Sequence, residues 1–183
     1  MRALAVAVAA LALLAAGCGG DGDDSDDSAA PSKTAYAEKG NTICRTAQTQ
    51  VDALPTAQPP TLEDLREKTP EARRRLKLWT EYSTKIDDIG RKSQTDLLAL
   101  EPPAELRQRR ERLRKDLEAL DKAGAEANEA GNKLRAAARS DDDAALETAR
   151  AQAQQIANRQ GAIAQRIRTQ FGALGWTACV RTQ

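Results

Sequence analysis

The chain has 183 residues, with 28 Lys and Arg against 27 Asp and Glu, and it contains no His. This length suits one domain with a short additional segment. The lack of His excludes imidazole metal sites, His-ligated haem and every nucleophile that His activates. A P-loop and a Gly-x-Ser-x-Gly motif are also missing, so the sequence has no signature of a nucleotide-binding enzyme or a serine hydrolase.

Residues 1–17 have the three parts of a secretory signal peptide. Arg2 is the basic start, residues 3–16 form an apolar core, and small residues precede a cleavage point. A membrane-spanning helix needs about 20 apolar residues, which is longer than this core. We therefore expect a cleaved signal rather than a permanent membrane span.

The end of this segment, Leu13-Leu14-Ala15-Ala16-Gly17-Cys18, resembles the lipobox of bacterial lipoproteins. Ala16, Gly17 and Cys18 match the family pattern Leu-Ala-(Gly/Ala)-Cys, and Ala15 stands where the family usually has Leu. The resemblance implies that the Cys18 thiol receives a diacylglyceryl group and that Cys18 becomes the mature N-terminus. The protein would then be extracytoplasmic and anchored to the cell membrane. The alternative is an ordinary secretory signal in which Cys18 has no such role.

Residues 18–35 follow the signal as a predicted tether. After Cys18, residues 19–35 are rich in Gly, Ser and Asp, and they have no apolar side chain larger than Ala. Such a composition cannot offset the entropy of ordering, so we predict a disordered acidic segment. A flexible chain of 17 residues spans roughly 23 Å, which would hold the helical domain predicted over residues 36–183 close to the membrane.

The first predicted helix covers residues 36–54, where apolar and small residues recur at spacings of three and four. Pro55 and the Pro59-Pro60 pair end it. Thr61 then caps a short turn over residues 62–68.

The second predicted helix begins at Thr69, which is a capping residue followed by Pro70. Its stripe from Ala72 to Leu100 has heptad spacing, which is typical of a coiled-coil seam. Pro102-Pro103 breaks the chain, and a third helix follows over residues 106–138 in the same rhythm.

The third helix has almost only small residues at 123–131, which predicts that a neighbouring helix approaches closely there. Ser140 is the predicted cap of the fourth helix, with acids at 141–143 in its first turn and an apolar stripe over 146–174. No strand-like alternation occurs anywhere. The predicted fold class is therefore all-α, an antiparallel four-helix bundle with heptad-like seams.

The overall layout resembles small helical lipoproteins of high-GC Gram-positive bacteria. The shared features are an acidic tether, a Cys near the start of the first helix, a Pro-Pro turn, and Leu174-Gly175 separated by three residues from Cys179. The resemblance implies a protein of the cell envelope, and it brings no biochemical activity with it.

Two cysteines remain once Cys18 is lipidated. Cys44 lies near the start of the first helix and Cys179 just past the end of the fourth, so an up-down-up-down bundle brings them to the same pole. In an exported protein this predicts a disulfide, which contributes at most about 5 kcal/mol in the chain-entropy model. The alternative is two free thiols or a redox pair, although no Cys-x-x-Cys motif is present.

Charge is distributed unevenly along the predicted bundle. One pole, which we name the basic pole, has 14 Lys and Arg against 6 Asp and Glu, a net charge of +8. The rest of the predicted domain, which we name the distal half, has a net charge of −4. The basic pole comprises residues 36–46, 89–116 and 158–183, and the distal half comprises residues 47–88 and 117–157.

Three arginines of this pole, Arg107, Arg110 and Arg114, are the predicted contacts with a membrane surface. Their partners would be anionic lipid head groups or an anionic wall polymer. The alternative is a solvated Arg-rich surface. Nucleic acid is disfavoured as a partner, because the basic residues surround their helix and few aromatic residues lie nearby.

No convergent acid, base or nucleophile can be named from the sequence. Asp87 and Asp88 are adjacent, so on a helix they point about 100° apart. Trp79 and Trp176 lie on apolar stripes and are predicted as core. We therefore expect no catalysis and no cofactor. The leading hypothesis is an interaction or scaffold module with an unknown envelope protein as partner. The alternative is a solute-binding or sensor-like bundle with a cavity between residues 83–93 and 123–131.

Overall fold

The computed structural model describes residues 31–140 and 142–180. The predicted signal peptide, Cys18 and most of the predicted tether lie outside this part of the chain. The described residues form five α-helices and two short 3-10 turns, with no strand, so the all-α prediction is confirmed. The helices are α1 Lys33–Asp52, α2 Leu62–Arg66, α3 Pro70–Ala99, α4 Arg107–Ser140 and α5 Asp143–Ala173.

Helix α1 begins three residues earlier than predicted. Ser32 is its N-cap, with a hydroxyl that accepts a hydrogen bond from the Ala35 amide at 3.2 Å and a carbonyl that accepts from the Tyr36 amide at 2.9 Å. A serine in this position satisfies amides that a helix start leaves unpaired. The predicted tether boundary at Ala35 is therefore wrong, because residues 33–35 are the first turn of α1.

The turn predicted after Thr61 is the five-residue helix α2. Thr61 and Asp64 form a reciprocal capping box, in which each side chain accepts from the backbone amide of the other. Thr69 caps α3 as predicted, and its hydroxyl accepts from the Ala72 amide at 3.1 Å.

The cap of α5 differs from the prediction. Asp142, not Ser140, is the N-cap, and its carboxylate accepts from the Ala145 amide at 3.0 Å. Ser140 is the last residue of α4, where its hydroxyl donates to the Ala137 carbonyl at 3.0 Å. The third helix thus runs on through Ser140, and α5 begins at Asp143.

Helices α4 and α5 form the most extensive helix pair, an antiparallel hairpin with ion pairs along it between Asp116 and Arg166 and between Glu126 and Arg159. Helix α3 packs mainly on α1 and α2, and α2 also contacts α4. In the described residues no close backbone approach joins α1 to α5 directly. The two are linked by the C-terminal turn at Thr177–Cys179.

The buried apolar residues form two clusters rather than one continuous seam. The larger lies at the basic pole and includes Tyr36, Leu97, Leu113, Ile167 and Trp176. The smaller lies in the distal half and consists of Ala137, Ala138, Leu146 and Ala149, against which Leu62 and Leu65 pack. Between the clusters, four seam positions of α3 are only half-buried. They are Ser83, Ile86, Gly90 and Ser93.

The small residues in the middle of α4 confirm the predicted contact only in part. Ala123 and Ala130 are buried. A Cβ added at Gly124 or Gly131, however, would meet no atom within 4 Å. The buried residues are thus the alanines that precede Gly124 and Gly131 by one position. No neighbouring helix comes close enough to either glycine to exclude a larger side chain.

Candidate functional site

The sequence Leu174-Gly175-Trp176 ends α5 in a way that fixes the C-terminus. Gly175 has a φ of 79°, and its amide donates to the Gly172 carbonyl at 3.1 Å while the Trp176 amide donates to the Phe171 carbonyl at 2.9 Å. These two bonds form a Schellman motif, which favours glycine at the left-handed position. The rings of Phe171 and Trp176 lie 5.9 Å apart, as the accompanying hydrophobic contact. The helix therefore stops here and turns the Trp176 ring towards α1.

Trp176 is completely buried against α1, so its prediction as core is confirmed. Its ring lies 5.2 Å from that of Tyr36, and its indole N–H donates to the Tyr36 carbonyl at 3.4 Å. It also covers Gly40, where a Cβ would come within 2.2 Å of the indole nitrogen. Only a glycine at position 40 leaves room for this ring.

Asn41 holds the C-terminal turn with both ends of its amide. Its Nδ2 donates to the Gly175 carbonyl at 3.0 Å, and its Oδ1 accepts from the Ala178 amide at 2.8 Å. The structure pairs Cys44 with Cys179 as a disulfide one helical turn further on, with Cα atoms 5.1 Å apart. This separation is within the roughly 4.4–6.8 Å range that disulfides adopt. The role of Asn41 was missed from the sequence, because its partners lie more than 130 residues away.

The three predicted membrane contacts lie on the same helix, but they have different surroundings. Arg107 is exposed and forms no ion pair with a residue that the structure describes. Arg110 is half-buried and its charge acts on Tyr36. Arg114 lies between Glu111, at 2.6 Å, and Glu118. A hydrogen bond and the charge from Glu111 raise the pKa of Arg114 and hold it in its charged form, and the two neighbouring carboxylates balance that charge.

The first turn of α4 is unusually positive. Helix N-termini attract acids, yet this turn has none and contains Arg107, Arg109 and Arg110 instead. Glu105, in the preceding 3-10 turn, pairs with Lys33 at 3.2 Å. A hydrogen bond from its own backbone amide, and after it the hydrogen bond from Lys33, lowers the pKa of Glu105. The positive dipole end and the arginines therefore reinforce each other.

None of the helices in the described part of the chain is long and apolar enough to cross a membrane.

Tyr36 is the buried polar group of this pole. Its hydroxyl has no hydrogen-bond partner among the described residues. Burial raises the pKa of Tyr36 to about 12, and the nearby Arg110 opposes this rise. The phenol is thus neutral at physiological pH and functions as an apolar ring in the core.

A second feature, which we name the distal groove, lies in the other half of the domain. It is a pocket of about 720 Å³ between the loop at residues 54–61, the start of α2 and one side of α3. Leu78 and Tyr82 line its helical wall, and Leu78 is 49% exposed. Trp79 belongs to neither hydrophobic cluster and instead contacts Tyr82, with ring centroids 5.8 Å apart. The prediction of Trp79 as core is therefore wrong.

Asp64 forms the buried end of the distal groove, with only 2% of its surface exposed. One carboxylate oxygen accepts from Arg75 Nε at 2.6 Å, and the other accepts from the amide and hydroxyl of Thr61, both at 2.9 Å. These hydrogen bonds, that from Arg75 first, lower the pKa of Asp64 to about 2. The sequence predicted Thr61 as a cap, and Asp64 follows it by three residues. No pattern in the sequence predicted the ion pair between Asp64 and Arg75.

The pocket that the structure shows between α3 and α4 lies closer to the basic pole than the expected cavity. Its α4 wall runs from Arg114 to Asp121, before residues 123–131, and Gly90, Gly124 and Gly131 face open space. Asp87 and Asp88 are exposed, and Asp142 is a helix cap. Among the described residues, no group of three or more Cys, Asp or Glu could hold a metal ion.

No protein-family model, no curated protein and no solved structure matches this chain. Proposals about its function therefore depend on its own residues and geometry.

Proposed function

We propose that the chain is a lipid-anchored, extracytoplasmic protein of the cell envelope whose helical domain is a non-catalytic interaction module. In this proposal the four long helices form an antiparallel bundle, supported by the α4–α5 hairpin and by the packing of α3 on α1. Cys18 carries the lipid and the acidic tether connects it to the domain.

The observation that carries the proposal is the polarity of the domain. Helix α1, to which the tether leads, begins at the basic pole, beside the arginines of α4 and the Cys44–Cys179 pair. The distal groove lies in the other half. Leu78 is 19 residues before Leu97 of the basic-pole cluster, which is roughly 29 Å along α3. A protein anchored through its basic pole would hold this groove away from the lipid surface.

Labelling of the cysteines tests the anchor. In a bacterial host given an alkyne-bearing fatty acid, we expect the wild-type chain to become labelled and to enter the detergent phase on phase separation. Cys18→Ala should lose the label. Cys44→Ala is the matched control, since it removes a cysteine but leaves the lipobox intact, and it should keep the label. Label that persists in Cys18→Ala would sink the lipoprotein proposal.

The size of the distal groove supports a second candidate, a solute-binding protein. Small-molecule pockets usually measure roughly 300–1,000 Å³, and this pocket is within that range. It is open on one side, however, and one of its walls is a loop. The interaction module remains the better-supported function, because an open groove with exposed Leu78 suits an extended segment of a larger partner.

A further inference from the structure

The helical wall of the distal groove is an apolar surface that no other element covers. Leu78 and Val180 are the two large hydrophobic residues that are exposed in the described part of the chain, at 49% and 38%. Leu78 and Tyr82 are exposed to the groove because α1 ends at Asp52 and does not continue over this part of α3. Exposed apolar surface of this kind marks interaction sites, and tyrosine is one of the residue types in which binding energy concentrates.

The opposite wall is a loop with unpaired backbone groups. Residues 55–60 form no hydrogen bond with any residue that the structure describes. Pro55, Pro59 and Pro60 fix their own φ at about −65° and disfavour a helical conformation in the residue before each of them. The amides and carbonyls of Thr56 and Ala57 therefore remain able to pair with a second extended chain, as in other forms of peptide recognition.

One end of the groove is negatively charged. Asp64 pairs with Arg75, and the charges of Glu71 and Glu63 also act on Arg75. Glu63 lines this end of the groove, whereas Glu71 lies outside the lining. Glu81 and Lys85 line the groove further along α3. A bound segment would gain most from a basic side chain at the Glu63 end.

We propose that the distal groove binds an extended peptide segment of a partner protein. Two apolar side chains of the segment lie against Leu78 and Tyr82, its backbone pairs with the loop at residues 55–60, and a Lys or Arg lies beside Glu63. This inference deepens the proposed interaction role by naming the class of partner.

Three synthetic peptides test the proposal: Ac-SVLVLKS-NH2 and its counterparts with Gln or Glu in place of Lys. The full-length lipidated protein is held in nanodiscs of neutral phosphatidylcholine, and binding is followed by amide chemical shifts and tryptophan fluorescence. At low salt we expect the Lys peptide to bind about tenfold more tightly than the Glu peptide, with the Gln peptide between them. The shifted amides should be those of residues 54–64 and 75–85.

Variants of the protein test the apolar contact and the charged contact of the distal groove separately. Leu78→Lys should weaken binding of the Lys peptide by about tenfold or more, because it removes apolar area and adds a like charge. Val180→Lys is the matched control, with the same change at the other exposed hydrophobic residue, and it should bind as the wild type does. Glu63→Gln should reduce the preference for Lys over Glu, because Glu63 is the acid beside the basic side chain of the peptide. Thermal melts of the three variants should match that of the wild type.

Four results would overturn the proposal. The first three are no binding of any peptide at millimolar concentration, binding without charge preference, and an equal loss of affinity in Val180→Lys. The fourth is saturable binding of dodecylammonium without binding of the peptides, which would assign the groove to a small amphiphile. None of these results affects the fatty-acid labelling of Cys18, so a failure here is distinguishable from a failure of the proposed anchor.

Discussion

At the scale of single residues, Gly40 determines whether the C-terminus can dock on α1. The Trp176 ring occupies the place where any side chain at position 40 would lie. Gly40→Ala should therefore displace the ring and lower the free energy of unfolding by about 1–3 kcal/mol. Gly131→Ala is the matched control: its added methyl meets open space, and the gain in helix propensity should raise stability by about 0.5–1 kcal/mol. Urea unfolding of both variants with the disulfide intact measures the difference, and equal shifts would contradict this role of Gly40.

Asp64 makes the stability of the α2–α3 corner depend on pH. Its ordinary pKa of 3.8 falls to about 2 in the folded chain, because Arg75 and Thr61 donate to the carboxylate. A lowered folded-state pKa means that the charged form stabilises the fold. This contribution is complete above about pH 4 and is lost as the pH falls towards 2.

We expect Asp64→Asn to lower the melting temperature at neutral pH, since it removes a charged acceptor from a buried position. The variant should also lose the part of the wild-type pH dependence between about pH 4 and 2. Melts recorded across this interval measure both effects. Asp87→Asn, a change at an exposed acid, should follow the wild type. An Asp64→Asn curve parallel to that of the wild type would show that the carboxylate is not held in this way.

At the scale of elements, the C-terminal turn is fixed by the Schellman motif, the Asn41 amide and the Cys44–Cys179 pair. Reduction of the disulfide should lower stability by a few kcal/mol, with an upper limit of about 5 kcal/mol. Helical content below the melt should remain largely intact, because the Trp176 packing and the Asn41 hydrogen bonds do not need the disulfide. Circular dichroism melts with and without reductant measure this loss. Mass spectrometry of the unreduced protein that finds both thiols free would refute the pairing.

The helices themselves were largely predictable, because their signals are local. Threonine before proline at Thr69, the double proline after α3 and the apolar repeat of α5 each specify an element without reference to the rest of the chain. The start of α1 was predicted too late, since Ser32 was assigned to the tether on composition alone. At the start of α5, two neighbouring capping residues competed and the second one, Asp142, is the cap.

Contacts in the candidate sites could be predicted from the sequence only where both residues are of a type that indicates the contact. In an exported chain the two remaining cysteines are expected to form a disulfide with each other, so the sequence predicted the pair Cys44–Cys179. Asn41 and Arg75 are ordinary surface residue types, and their roles arise only when the fold brings distant carbonyls or a buried carboxylate to them. Trp79 was misassigned because the apolar stripe of α3 continues beyond the end of α1. Ala72 and Leu76 of this stripe are buried where α2 packs on α3, but Trp79 joins neither cluster.

At the scale of the whole molecule, the basic pole should orient the domain on an anionic membrane, but its arginines should contribute unequally. A basic residue near such a surface contributes roughly 1 kcal/mol. Arg107→Gln should lose close to this amount of binding free energy, whereas Arg114→Gln should lose less, because Glu111 and Glu118 already balance its charge. Vesicle co-sedimentation of the single variants measures the two losses, and an equal loss would contradict this ranking.

The most direct test of the account is whether the domain without its lipid prefers anionic membranes. The fragment 31–183 keeps Ser32 and the first turn of α1 and removes the anchor. It should float with phosphatidylglycerol vesicles at low salt and not with neutral vesicles, with a preference of about 2–3 kcal/mol that salt abolishes. Replacing Arg107, Arg110 and Arg114 together by Gln should remove the binding, whereas Arg74→Gln with Arg150→Gln, in the distal half, should preserve it. Equal binding to neutral and anionic vesicles, or binding that salt does not change, would contradict an orientation set by the basic pole.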